Sequence, residues 1–158
     1  MRKQYHRPPM TADRTPIRRD QLRRFLQIPT RWMDNDVYGH VNNVVYYAYF
    51  DTAVNEHLIR EGGLDIRQSD VIGVVVETTC HYHRELTFPE TIDAGIAVAK
   101  LGTRSVVYDI GLFPAGEDEA AASGRFVHVY IDRKTRKPVE IPAAIRAALQ
   151  PLVVDVSG

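Results

Sequence analysis

The stretch R-W-M-D-N-D-V-Y-G-H-V-N-N, residues 31–43, runs directly into V-V-Y-Y-A-Y-F-D-T-A-V-N-E-H-L-I-R-E-G-G, residues 44–63. The second half reads as a helix. Val44, Tyr47, Phe50, Val54, Leu58 and Ile59 recur at three- and four-residue spacing, the repeat of one helical face. Gly62 and Gly63 supply a stop, and Arg60 puts a cation in the last turn, where the helix dipole favours one. β-Branched and aromatic residues are frequent for a helix, so its intrinsic propensity is mediocre and it must gain stability by packing against a sheet.

Strands surround it. Leu22 to Ile28 leads into a first strand ending near Trp32, with Pro29 marking it as short, at an edge, or starting later. Residues 71–86, 91–102, 104–113 and 121–132 are β-rich runs separated by turn residues. Ile92, Ala94, Ile96 and Val98 share one face, as do Val106, Tyr108, Ile110 and Leu112. The small residues Ala94, Gly95, Ala97 and Ala99 are expected to let the helix approach the sheet. A short helix is predicted over 141–152, with Pro142 in its first turn. One long helix beside a five-stranded antiparallel sheet in meander spacing is an α+β layer arrangement.

The chain has 158 residues and one cysteine, Cys80, which excludes an intrachain disulfide and fits a reducing compartment. No apolar run reaches the roughly 18 residues of a membrane span, and the basic N-terminus lacks the apolar core of a secretory signal. A cytoplasmic protein is expected. Residues 1–24 hold eight basic side chains against two acids, although the whole chain is formally neutral. They are read as a flexible basic arm ahead of a single domain over 25–158, with no nucleic-acid partner. There is no G-x-S-x-G elbow and no P-loop or dinucleotide fingerprint. His81 and His83 lie two apart on a strand without an evident third metal ligand, and no metal or cofactor is expected.

Asp34, Asp36, His40, Asn42 and Asn43 all precede the helix or start it. Asp and Asn favour turns and N-caps on local grounds. The same place also suits chemistry. A first helical turn leaves N–H groups unpaired and adds partial positive charge, which can polarise a carbonyl and hold an oxyanion. A carboxylate beside it could serve as general base or as nucleophile. Local physics leaves both readings open.

The pattern R-W-x-D-x-D-x-x-G-H-V-N-N-x-x-Y, from Arg31 to Tyr46, resembles the 4-hydroxybenzoyl-CoA thioesterase family. Supporting matches are V-V-V-E-T, R-E-L-x-F-P-E, G-T-R-S and the closing D-R-K-T-R-K-P-V-E-I-P. The resemblance covers about residues 25 to 145. It implies a hotdog fold and hydrolysis of an acyl-CoA, in a homodimer or homotetramer with the site at the subunit interface. By position, Asp36 is the catalytic carboxylate, the amide at Asn43 polarises the thioester carbonyl, and Asp34 supports the loop. His40 orients the water or Asp36. Asn42, Tyr46, Arg104, Ser105 and Arg125 are candidates for substrate contact, with Arg104 the best match for a coenzyme A phosphate. Glu77, at the end of an apolar run, faces either the site or solvent. Two other functions stay open: an acyl-thioester dehydratase or hydratase of the same fold, and a non-catalytic acyl-CoA binding module.

Overall fold

The computed structural model describes residues 15–154. Five strands form one antiparallel sheet: β1 (Arg24–Pro29), β2 (Val71–Tyr82), β3 (Thr91–Leu101), β4 (Ser105–Pro114) and β5 (Ala122–Asp132). Helix α1 (Val45–Gly62) lies across one face and the short α2 (Ala143–Leu149) packs beside it. This is the hotdog arrangement. The sheet order is β1-β3-β4-β5-β2, so only β3, β4 and β5 form a meander. β2 crosses to the far edge and pairs with β5, which the even spacing of the strands did not reveal. Pro29 ends the opposite edge strand, where its missing N–H breaks no ladder.

The helix buries a face rotated from the expected stripe. Tyr46, Tyr49, Phe50, Ala53, Val54, His57 and Leu58 are buried, whereas Val44 and Ile59 are exposed. Because α1 is apolar on more than one side, periodicity could not choose the covered face. The sheet chooses it. Val106, Tyr108, Ile110 and Leu112 of β4 are fully buried beneath the helix with Ile92, Ile96 and Val98 of β3. Over β5 the helix comes close enough that a Cβ added at Gly124 would collide with the Phe50 ring. A buried Phe contributes about 1.5–3 kcal/mol, so Gly124 secures one of the larger contacts of the core. Gly63 closes the helix with φ 67°, a left-handed conformation that glycine adopts without a Cβ clash.

Gly95 and Ala97 serve a different contact from the one expected. They face outward, where Gly95 meets Leu22 and Phe25, and Ala97 clusters with Leu22, Phe113 and Ala120. The segment packed there starts at Ile17. Arg19 donates to Asp93 at 2.9 Å and to the Glu117 carbonyl, and its guanidinium lies over Phe25 and Phe113. From Ile17 to Arg24, part of the stretch read as an arm, the chain packs on the outer face of the sheet. Residues 1–14 of that arm lie outside the described residues.

Candidate active site

Trp32–Asp34 forms a single 3₁₀ turn after β1. Asp34 is 1% exposed and is the anchor of this region. One carboxylate oxygen accepts from the Arg31 backbone N–H at 2.9 Å and from the Tyr49 hydroxyl of α1 at 2.8 Å. The other accepts from the Arg31 guanidinium. Burial pushes the Asp34 carboxyl up, but these three donated bonds and the guanidinium charge outweigh it and hold it below the usual carboxylate range. Its backbone carbonyl also accepts from the Asn42 N–H at 2.8 Å. Asp34 thus ties the loop to both ends of the helix start, the supporting role expected of it.

The next residues close a tight turn. Asp36 N–H donates to the His40 carbonyl at 2.8 Å, and Gly39 N–H donates to the Asp36 carbonyl. Gly39 has φ 86°, and the space around it is open, so backbone conformation is what calls for glycine here. One Asp36 oxygen accepts the Tyr38 N–H at 2.8 Å. The second has no hydrogen-bond partner among the described residues. The turn is stitched to the segment after β2. Val41 N–H donates to the Leu86 carbonyl, the Thr87 hydroxyl donates to the Gly39 carbonyl, and Phe88 N–H donates to Asn35.

At the helix start, Asn42 accepts the Val44 N–H through its side chain and the Val45 N–H through its carbonyl. Capping therefore falls to Asn42. The Asn43 N–H is left without a hydrogen-bond partner among the described residues. The Asn43 carbonyl accepts from the Tyr82 hydroxyl at 2.9 Å, which fixes the peptide following that N–H. Asp36, His40, Asn43, Tyr46 and Tyr82 line one cleft of about 450 Å³. Tyr46 is buried, accepts the Leu86 N–H and stacks edge-on against Tyr82 with centroids 4.9 Å apart. Burial pushes both phenols upward, so they stay protonated donors at neutral pH.

Several expected site residues do not join this cleft within one chain. Arg104 and Ser105 lie at the β3–β4 turn, bonded to the end of β5 and so at the opposite end of the sheet from Tyr82. Arg125 points from the outer face and pairs with Asp109 at 3.1 Å. Glu77 is exposed on the β2 edge, just past a bulge. His81 lines an outer hollow together with His83, which meets the Ser123 hydroxyl at 3.0 Å and also borders the Asp36 cleft. Among the described residues no group of three or more His, Cys, Asp and Glu side chains is placed to hold a metal ion. Cys80 is half-buried and burial pushes its thiol up to about 11.

Glu85 and Tyr82 are among the cleft residues that escaped the reading of the sequence. Glu85 sits 2.8 Å from Nε2 of His40, and Tyr82 holds the helix start. Both come from the far side of the β2 crossover. The only signal was the R-E-L-x-F-P-E turn, which carried no hint of its neighbour in space.

Residues 30–149 match the thioesterase-like superfamily. The long-chain acyl-CoA thioesterase FadM of Escherichia coli K12 is 24% identical over 128 residues, covering 80% of this chain and 97% of FadM. The crystal structure of the PA5185 protein of Pseudomonas aeruginosa PAO1 superimposes with a TM-score of 0.86 at 52% identity, covering 88% of this chain and 96% of that one. A 1,4-dihydroxy-2-naphthoyl-CoA thioesterase from Synechocystis shares the fold at 15% identity and a TM-score of 0.72, covering 79% of this chain and 93% of its own. With the match over residues 30–149 and the fold in agreement, the chain belongs to the thioesterase-like superfamily, and it is a thioester hydrolase.

Proposed function

We propose that the protein hydrolyses an acyl-CoA to the free acid and coenzyme A, with Asp36 as base or nucleophile. The observation that carries this reading is the pairing, in one cleft, of an Asp36 oxygen and an Asn43 N–H that have no hydrogen-bond partner among the described residues. The N–H lies at the start of an 18-residue helix whose dipole adds partial positive charge. A thioester carbonyl placed on it would be polarised, and the oxyanion formed on attack would be held. The Asp36 oxygen then takes a proton from water or attacks the carbon itself. A thiolate leaves readily, so this modest machinery suffices without a metal or a serine.

Thiol release from a panel of short, long and aromatic acyl-CoAs tests the reading. Release from at least one class supports it. Hydration of an enoyl thioester without free thiol would favour a dehydratase or hydratase instead, and tight binding without turnover would favour a binding module.

The edge strand of the sheet supports a reading of the coenzyme A end and of the subunit arrangement as well. β2 is an edge strand of 12 residues with Val75 and Val76 exposed at 44% and 58%. Such an edge is a template for strand pairing. Two copies pairing β2 to β2 about a two-fold axis would set the start of one strand beside the end of the other. The β3–β4 turn, remote from Asp36 in its own chain, would then approach the other copy's cleft. Arg104 and Ser105 would thereby reach the phosphates of coenzyme A, with Arg125 as a further contact. Sedimentation at micromolar concentration should therefore show a dimer or tetramer. A monomer would remove the route by which Arg104 joins the site. Among the described residues no helix is long and apolar enough to cross a membrane, and a cytoplasmic location is the one we propose, on the grounds of the single cysteine.

A further inference from the structure

The carboxylate of Glu85 lies 2.8 Å from Nε2 of His40 at the rim of the cleft that holds Asp36. A carboxylate can only accept, so Nε2 carries the proton. In the neutral ring the lone pair is then on Nδ1, which has no hydrogen-bond partner among the described residues. The pair is itself at the surface, with side chains 42% and 72% exposed, but it is shorter than some other surface pairs of the same protein. Arg18–Glu119 and Arg84–Glu117 span 3.5 and 3.4 Å, and such exposed pairs contribute little. The backbones on either side of His40 and Glu85 are already locked together. Val41 N–H donates to Leu86, and the Thr87 hydroxyl donates to Gly39, each at 2.8 Å. His40 also closes the turn whose first residue is Asp36. Little further ordering is needed to hold the ring.

We propose that Glu85 is a positioning residue for the hydrolysis: it fixes the ring and tautomer of His40 so that Nδ1 accepts a hydrogen bond from the water that Asp36 activates. The proposal rests on the thioesterase reading of Asp36. Two acceptors, the free Asp36 oxygen and Nδ1 of His40, hold the two hydrogens of that water and leave its oxygen lone pair for the carbonyl carbon. A free imidazole would spend part of its time as the Nδ1–H tautomer, which presents a donor where an acceptor is required.

Kinetics of Glu85→Ala, Glu85→Gln, His40→Ala and the His40→Ala/Glu85→Ala double variant test it. Glu85→Ala should lower kcat roughly tenfold with little change in KM, the scale of lost orientation. Glu85→Gln, whose amide oxygen still accepts from Nε2–H, should recover most of that loss. In the His40→Ala background the Glu85→Ala change should cost nothing further, because its effect passes through the ring. Long-range ¹H–¹⁵N spectra should show the Nε2–H tautomer in the wild type and a mixture in Glu85→Ala, independent of turnover. Wild-type kcat in Glu85→Ala, no recovery in Glu85→Gln, or additive losses in the double variant would overturn the proposal while leaving the thioesterase reading intact. No thiol release by the wild type from any acyl-CoA would overturn both, and the spectra would then show whether the pairing had failed as well.

Discussion

Asp36→Asn is expected to cut kcat roughly 10²–10⁴-fold, the usual contribution of a positioned general base. The amide cannot take a proton from water, nor form an acyl intermediate. It can still accept the Tyr38 N–H through its remaining carbonyl oxygen, so the Asx turn closes as before. Asp36 makes no other side-chain contact among the described residues, and stability should change by no more than about 0.5 kcal/mol. Parallel thiol-release kinetics and thermal melts check both halves. A variant that melts like the wild type and keeps full activity on every cleaved acyl-CoA would end the assignment of Asp36. In a single turnover in ¹⁸O-water, label recovered in Asp36 would establish an acyl-aspartyl intermediate opened at the aspartyl carbon, an outcome that general-base attack by water cannot give.

Asp34→Ala, two residues earlier, is expected to do the opposite: a large loss of stability. Removing this carboxylate strands the buried Tyr49 hydroxyl and the Arg31 backbone N–H together with the guanidinium. Unpaired buried donors cost about 1–3 kcal/mol each. Allowing for relaxation of the exposed Arg31 side chain, a loss of about 2–4 kcal/mol in total is expected, measured by denaturant or thermal unfolding. A variant melting within a degree of the wild type would show that the loop is held without Asp34.

The same carboxylate predicts how acid unfolds the protein. The folded pKa of Asp34 lies below the unfolded value, so its contribution is complete above about pH 4 and disappears as pH falls through the folded value. His128 acts earlier. Burial pushes its imidazole down to about 4 from 6.5. The unfolded chain therefore takes up a proton that the folded chain refuses, and stability falls as pH drops from 6.5 towards 4. In Asp34→Asn the first decline should remain, while the decline below pH 4 is reduced.

Much of the architecture could be read along the chain because it rests on local rules. A glycine stop, a helical repeat and alternating strands identify α1 and the four strands that follow to within a few residues. The Asp34/Asp36 pair is legible for the same reason, since turn and cap chemistry acts over two or three residues. The face of α1 that is buried was not legible. Tyr46, Tyr49 and Phe50 on one side and Val44, Tyr47 and Ile59 on another are nearly equal in hydrophobicity. Only the sheet, with Gly124 admitting the Phe50 ring, breaks that tie. Likewise Gly95 and Ala97 announce a close approach without naming what approaches.

By itself the sequence determined the α+β composition, the long helix, the polar turn before it and, through resemblance, the carboxylate to suspect. Tertiary structure decided which groups meet there. The crossover of β2 to the far edge carries Tyr82 to the Asn43 carbonyl and Glu85 to His40, while the same sheet order sends Arg104 to the opposite end of its own chain. Those contacts join residues about forty positions apart or more. Strand order is set by the global competition to cover apolar faces and pair edges, and no local spacing rule records its outcome.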